Sequence, residues 1–549
     1  MWSSTTGFDR FRGPAPGAPQ EHGLAYLRAA DSIDLREETV GAALARVSRD
    51  FGDHRALVWL TDSGMGSMTW AQLHVRARAA GAMMLDLNPR RGRVAIAAPN
   101  SVEWIVAMFG CAMARMPVVP ISPTVTESEA CHMLSQAHAT LILAATRVGD
   151  CAVYPTMCEV ARQLPWRPAV CEITGLNKSP KQPAADLVSA DAAAEFLIQH
   201  TSGTTGLPKA AVLSHRAALG CAQVWGEAIG LQTGETWLNP LPLHHVGGSV
   251  SGVLSALSVA GTYVVIERFS AQTVLRALRI ARPAAVGLVP TMIVDLLAMP
   301  GVSPEDFSSV RIVAGGASAV DPGLIEDMEH RLAVTCLVGY GQSEAPAMAA
   351  SRPSDPTAIR TQTLGHCLPG RDYYLCDRDG KVVPTGSVGE LCVRGPLTMS
   401  GYLRCDGSID PAADDAGWLH TGDLCSMDDH GVLRFRGRVR EVIIRGGENI
   451  YPAEVEQVLA AHPSVAEAAV FGVPDTRLGE RVVAAVRPAA GRVDPRNLAA
   501  FASARLSRHK RPTEWIVTTT LPRTSSGKVQ KHVLRKAYED GAFRTERGE

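Results

Sequence analysis

The chain has 549 residues, 46% of them hydrophobic and 20% charged, which makes it globular and long enough to divide into two or more domains. Lys and Arg total 54 against 55 for Asp and Glu, a net charge of −1. That balance argues against a nucleic-acid partner and leaves only local basic clusters for binding phosphates. The twelve cysteines include no Cys-x-x-Cys pair. Their spacing suits neither a zinc site nor a disulfide scaffold, and predicts reduced, mostly buried thiols in a cytoplasmic protein.

Residues 1–30 are rich in Pro and Gly and predict a loosely held arm. They carry no basic segment followed by an apolar stretch, so no signal peptide is expected. Strand-like and helix-like segments then alternate. Residues 94–98 read as a buried strand. Residues 101–114 read as a helix capped by Ser101 or Asn100, and 117–121 and 141–144 as further strands. The alternation predicts parallel sheets covered by helices. Residues 174–190 read as a linker, followed by a second α/β lobe over 191–345. The apolar run 249–266 is broken by Gly261 and reads as a buried helix and strand, not an integral membrane segment. Residues 361–435 predict a smaller, mostly antiparallel β lobe. Beyond Arg440 the pattern is α+β: a helix with Pro452 near its first position, strands at 465–471 and 481–486, a helix at 496–506 and a strand at 515–518. The fold class expected is α/β. A large N-terminal domain (31–438) of two α/β lobes plus a β lobe precedes a small mobile α+β domain (439–549).

The segment His200-Thr-Ser-Gly-Thr-Thr-Gly-Leu-Pro-Lys209 packs four hydroxyls, two glycines and a lysine between two apolar runs. Glycines let backbone N–H groups approach a ligand, the hydroxyls add donors and the lysine adds a charge, so the loop suits a polyphosphate. It is not a Walker A loop, because Pro208 stands where the second glycine belongs. Five more motifs follow: Leu241-Pro-Leu-His-His-Val-Gly-Gly248, Gly339-Tyr-Gly-Gln-Ser-Glu344, Trp418-Leu-His-Thr-Gly-Asp423, the stretch from Gly437 to Pro452 containing Arg445-Gly-Gly-Glu-Asn, and Leu521-Pro-Arg-Thr-Ser-Ser-Gly-Lys528.

In kind and order these six resemble the motifs of the AMP-forming adenylating superfamily of acyl-CoA synthetases, peptide-synthetase adenylation domains and luciferases, over about residues 35–538. The resemblance implies ATP, Mg²⁺ and CoA as cofactors and a two-step reaction. ATP first converts a carboxylate to an acyl-AMP, and a thiol then takes the acyl group. Thr201, Ser202, Gly203, Thr204, Thr205 and Lys209 would hold phosphates. Glu344, with Thr204, would hold Mg²⁺, and Ser343 stands where relatives usually have Thr. Tyr340 and Gly341 would meet adenine together with Gly315, Gly316 and Ala317. Asp423 would bind the ribose, with Arg438 as its partner. Lys528 would be the adenylation lysine, Arg440 the hinge, and Gly446 and Gly447 the bare face that lines the pantetheine tunnel. Lys531 replaces the arginine often found there, and His244 replaces a frequent Phe.

His245 would gate the junction of acyl pocket and thiol channel. The pocket would be lined by His245, Val246, Gly247, Gly248, Ser249, Gly252, Val289, Met292 and Gly315. Its small side chains and lack of a cation predict a bulky hydrophobic monocarboxylic acid. The acceptor is CoA or a carrier-protein thiol, with homodimerisation left open. A stand-alone carrier-loading enzyme and a non-catalytic ATP-binding relative are the alternatives. The first lacks support because Leu238-Asn-Pro-Leu-Pro offers no aspartate for an α-amine, the second because Glu344, Asp423, Arg438 and Lys528 are all present.

Overall fold

The computed structural model describes residues 23–28, 35–62, 64–177, 191–201, 208–316, 322–489, 491, 493–523, 529–543 and 545–547. An eight-stranded and a fourteen-stranded sheet carry the large N-terminal domain, and a six-stranded sheet carries the C-terminal one. The strands Val94–Ala97, Val118–Ile121 and Leu141–Ala144 are buried throughout and pair in parallel, as expected of strands covered on both faces. Between the first two runs the helix Val102–Ala114, capped by the Ser101 hydroxyl, which accepts the Trp104 N–H at 3.1 Å. Asn100, the other expected cap, has a different task. Its Nδ2 donates to the carbonyls of Leu241 and Ile266, each at 3.0 Å, and its Oδ1 accepts the Leu243 N–H at 2.7 Å.

The second sheet has a parallel core: Arg55–Thr61, Thr262–Val265, Thr236–Leu238, Ala285–Gly287, Ile312–Gly316 and Thr335–Tyr340. The sheets do not divide at the expected 174–190 boundary. The hairpin Glu195–Thr201/Lys209–Ser214 joins the first sheet, while Arg55–Thr61 and Gly64–Thr69 join the second. Local alternation marks a strand but not its distant partner. The β lobe is antiparallel as expected, yet it is not a separate sheet. Ala349–Ala350 and Gly365–Cys367 connect it without a break to Thr335–Tyr340. The expectation of a loose N-terminal arm also needs correction over residues 23–28. Tyr26–Leu27 pairs with Asp372–Cys376, and Ala25 and Tyr26 are buried.

In the C-terminal domain, Pro452 opens the helix Pro452–Ala460, and a long hairpin joins Val465–Asp475 to Gly479–Pro488. Glu514–Val517 extends that sheet in parallel. The run expected as one buried helix before Gly261 is instead three pieces, Val246–Gly248, a π-helical Ser249–Leu254 and Ser255–Ser258. π-helical turns are often found at functional sites. Among the described residues no helix is long and apolar enough to cross a membrane.

Two buried histidines and a half-buried one give the fold an acid limit. Burial and then His132 push His200 down to about 3, and burial pushes His215 down to about 4. Burial and then His245 push His244 down to about 3. His215 Nδ1 accepts the Val40 N–H at 3.2 Å, a bond the doubly protonated ring cannot make. The folded state holds these rings neutral, whereas the unfolded chain protonates them below about 6.5. Their contribution is therefore intact above that pH and lost as pH falls towards about 4, at up to ~1.4 kcal/mol per pH unit for each ring. The urea midpoint should drop clearly between pH 7 and pH 5. An unchanged midpoint would show that the rings are not held neutral.

Candidate active site

Parallel strands that end together explain why motifs far apart in sequence meet. Thr236–Leu238, Ala285–Gly287, Ile312–Gly316 and Thr335–Tyr340 run in one direction. Their carboxyl ends lead into residues 239–248, 288–292, the Gly315-Gly316 pair and 341–344. Crevices at such ends are where open α/β sheets bind ligands. Gly316 and Gly339 face each other across adjacent strands, and a Cβ on Gly316 would lie 2.2 Å from the Gly339 carbonyl. Gly341 is equally constrained, its Cβ position 2.5 Å from the Ala347 nitrogen.

Asp423 is the best-anchored of the sequence-predicted residues. It is 2% exposed. Its Oδ1 lies 3.1 Å from Arg438 Nε, and the two residues are register partners in the strands Leu419–Met427 and Val432–Arg438. Its Oδ2 accepts the Tyr340 hydroxyl and Gln342 Nε2, each at 2.6 Å. Burial and then the Asp423 carboxylate hold the Tyr340 phenol well above its ordinary value, so it stays a donor. Gln342 was not singled out from sequence, although it lies inside the Gly339–Glu344 motif. Its side chain also donates to the Thr421 carbonyl at 3.0 Å, pinning the bulged stretch of strand that presents Asp423.

A second cluster joins the hairpin Glu195–Thr201/Lys209–Ser214 to Glu344. Thr201 pairs with Lys209 where the hairpin enters its loop. Lys209 is exposed, with its Nζ 4.8 Å from the centre of the Tyr402 ring. The Tyr402 hydroxyl donates to Glu344 Oε1 at 2.8 Å. Tyr402 reaches this position because Gly401–Leu403 pairs with Lys209–Ser214, and nothing in the local sequence marks it. Ser343 is half-buried on the same turn. Ser202, Gly203, Thr204, Thr205 and Ala317 lie outside the described residues.

The glycines of the expected acyl pocket read differently in three dimensions. A Cβ on Gly248 would sit 2.3 Å from the Pro242 carbonyl oxygen, and one on Gly252 would sit 3.1 Å from the Tyr263 ring. Ser249 is fully buried and donates to the His245 carbonyl at 3.0 Å. These three positions face protein, not open space, because the helical pieces turn that side towards the sheet. Gly247 is held by its carbonyl, which accepts Asn239 Nδ2 at 2.9 Å. Val289 precedes the helix Pro290–Leu297, and Met292 is half-buried in its first turn. Gly315 lies beside them, its Cβ position 3.2 Å from the Leu288 carbonyl. The His244 and His245 rings are 4.6 Å apart. Trp225, from the helix His215–Ala228, closes over Gly339, where a Cβ would lie 2.3 Å from its ring. Nothing in the sequence marked Trp225, which lies outside the His245 segment. Gly248→Ala should therefore lower stability by ~1–3 kcal/mol through overpacking, with KM little changed for any acid. A raised KM for large acids at an unchanged unfolding midpoint would return Gly248 to the pocket.

Towards the C-terminal domain, Val439–Glu441 is a single 3₁₀ turn. Arg440 is exposed within it. On one side Arg438 is bound to Asp423. On the other, Glu441 accepts from Lys531 Nζ at 2.7 Å. Gly446 and Gly447, at φ +61° and +87°, form the exposed two-residue turn between Ile443–Arg445 and Glu448–Ile450, a conformation that favours glycine. Lys528 lies outside the described residues. Arg523 and Val529 form a bridge.

The sequence profile of AMP-binding enzymes matches residues 44–403, and that of the AMP-binding enzyme C-terminal domain matches residues 454–528. The chain is 34% identical over 527 residues to a Mycobacterium tuberculosis 3-[(3aS,4S,7aS)-7a-methyl-1,5-dioxo-octahydro-1H-inden-4-yl]propanoyl:CoA ligase, covering 92% of this chain and 99% of that protein. It is 30% identical over 563 residues to the mitochondrial medium-chain acyl-CoA ligase ACSF2 of Danio rerio, covering 94% and 91%. Among solved structures, o-succinylbenzoate CoA synthetase (MenE) of Bacillus subtilis with its acyl-adenylate intermediate superposes with a TM-score of 0.81 at 25% identity, covering 94% and 100%. ATP-bound MatB of Rhodopseudomonas palustris gives a TM-score of 0.80 at 25% identity, covering 91% and 99%. With the AMP-binding enzyme profile matched over more than half of its length and a 34%-identical relative covering 92% of it, the chain belongs to the family of AMP-binding enzymes.

Proposed function

We propose that the chain is an AMP-forming acyl-CoA ligase acting on a bulky hydrophobic monocarboxylic acid. The observation that carries the reading is the Asp423 carboxylate, fixed by Arg438, Tyr340 and Gln342 beside the carboxyl ends of the parallel strands. It gives a nucleotide a ribose-binding acid, and the bare Gly315-Gly316 backbone gives it a surface for the base. The acid's carboxylate oxygen attacks the α-phosphate of ATP, and pyrophosphate leaves. The CoA sulfur then attacks the acyl carbon, and AMP leaves.

In the first step Lys209 and the hydroxyls and N–H groups of residues 201–205 orient the phosphates, and Lys528 meets the charge that builds between carboxylate and phosphate. Glu344 offers hard oxygen donors of the kind Mg²⁺ takes, on a half-buried carboxylate oriented by Tyr402. With Thr204 it would hold the ion, which supplies charge neutralisation at the phosphates. In the second step His245 gates the thiol path, and the Gly446-Gly447 turn gives pantetheine a surface free of side chains. The cytoplasm suits the reading, since all twelve cysteines are unbridged.

Two relatives are named for a fused-ring propanoic acid and for medium-chain acids, and this supports a hydrophobic substrate. The small residues no longer do, since Gly248 and Gly252 face protein. Acid-dependent pyrophosphate–ATP exchange tests the first step, and the same acid panel with CoA or a holo-carrier tests the acceptor. A ten-carbon or ring-bearing acid should exchange well above acetate, and CoA should accept the acyl group. Equal efficiency with acetate, or transfer only to the carrier, would overturn the assignment.

A further inference from the structure

Three neighbouring strands of the β lobe, Asp372–Cys376, Val388–Arg394 and Leu419–Met427, place a second constellation next to Asp423. In their register Cys376 lies opposite Glu390, and Cys392 lies opposite His420. Strand alternation puts Cys376, Glu390 and Cys392 on one face. Two thiol sulfurs, a carboxylate oxygen and an imidazole nitrogen gather there, all within 4.8 Å of one another. The edges of the group are 3.7 Å between the two sulfurs, 3.3 Å from Cys392 Sγ to His420 Nδ1, and 3.1 Å from His420 Nδ1 to Glu390 Oε2.

Those edges can be set against a tetrahedron around a metal. Zinc binds thiolate at ~2.3 Å and nitrogen or oxygen at ~2.0–2.1 Å, which makes tetrahedral edges of ~3.8 Å for S–S, ~3.6 Å for S–N and ~3.4 Å for N–O. Each observed edge lies within about 0.3 Å of its counterpart. These three edges are each slightly shorter than their counterparts and the other pairs lie within 4.8 Å, so a small adjustment of the side chains about a shared centre is needed.

The surroundings supply what such a site requires beyond its ligands. The Asp414 side chain is 1% exposed, and its Oδ2, which has no hydrogen-bond partner among the described residues, lies 3.9 Å from His420 Nε2. A buried carboxylate aimed at the far nitrogen of a metal-bound imidazole orients the ring and raises its basicity. Glu390 is oriented in turn, since its Oε1 accepts the Gly422 N–H at 3.0 Å. Tyr26, Tyr374 and Trp418 pack with the two cysteines in one apolar cluster, which keeps the centre dry.

We propose that Cys376, Glu390, Cys392 and His420 bind a structural zinc ion. Two thiolates, an imidazole and a carboxylate in a tetrahedron suit zinc rather than magnesium or calcium, which take oxygen donors. All four positions are filled by protein, so the site is closed and holds structure instead of doing chemistry. Binding forms two Zn–S bonds, one Zn–N and one Zn–O bond, and the two thiol protons pass to solvent. Its place explains its use. Glu390 holds the Gly422 N–H and His420 adjoins it in the same strand, so a metal joining them to the neighbouring strand would fix the position of Asp423.

The full-length chain, expressed with zinc and purified without chelator, should carry about one zinc ion per chain by elemental analysis. The double variant Cys376→Ser, Cys392→Ser should lose it. In the wild-type protein, which is tested without any question of misfolding, a mercurial thiol reagent should release zinc to a chromogenic chelator. Cobalt substitution should give the intense absorption of a tetrahedral thiolate complex. Absence of stoichiometric metal with Cys376 and Cys392 both alkylatable would overturn the proposal. So would a Cys376–Cys392 disulfide detected by mass, or full zinc content in the double variant.

Discussion

Lys528→Ala should slow acyl-adenylate formation by ~10²–10³-fold and leave thioester formation from supplied acyl-adenylate near wild type. The loss is large because a cation placed where charge develops between the attacking carboxylate and the α-phosphate acts in the transition state, not in substrate binding. Lys531, three residues on in sequence, cannot take over. Lys531 is half-buried between two carboxylates, 2.7 Å from Glu441 and 2.8 Å from Glu456. Burial alone would lower its pKa, but Glu456 and then Glu441 outweigh that and raise it. Lys531 is thus an anchor for the helix Lys531–Glu539, and it sets down the end of the segment that carries Lys528. At the other end the Gln530 N–H donates to the Pro522 carbonyl at 2.8 Å. Pyrophosphate exchange and CoA-dependent thioester formation, measured separately, decide the point. An equal loss in both steps would remove Lys528 from the adenylation chemistry.

The motifs were legible because each is contiguous and chemically unusual. Glu344, Asp423 and Arg438 came from single runs of sequence, and the fold brings Asp423 and Arg438 into contact. What escaped was set by pairing between distant strands. Tyr402 reaches Glu344 only because its strand pairs with Lys209–Ser214. Cys376 and Cys392 look unrelated when spacing is counted for zinc, and become neighbours through strand register. The glycines failed in another way. Their presence in the His245 segment was visible, but whether each bare Cα faces a cavity or the protein depends on the phase of a helix that turns π at Ser249. Composition carries no information on that phase.

The same logic gives the proposed hinge its physical content. Arg440 is the exposed centre of a three-residue turn whose flanks are tied to different domains. Arg438 is bound to Asp423 in the large domain, and Glu441 is bound to Lys531 in the small one. Any rotation of one domain against the other that keeps both ties must be absorbed at Val439 and Arg440. Arg440→Pro fixes φ near −65° at position 440 and disfavours helical backbone at Val439, removing the freedom that the turn supplies. Acid-dependent pyrophosphate exchange should survive, because adenylation needs only one arrangement of the domains. Transfer to CoA should fall by ~10²-fold, since a thiol path misplaced by as little as an ångström is no longer productive. Product release and domain motion commonly limit such enzymes, so the wild-type turnover should itself report the hinge. Transfer to CoA at the wild-type rate in Arg440→Pro would place the pivot elsewhere.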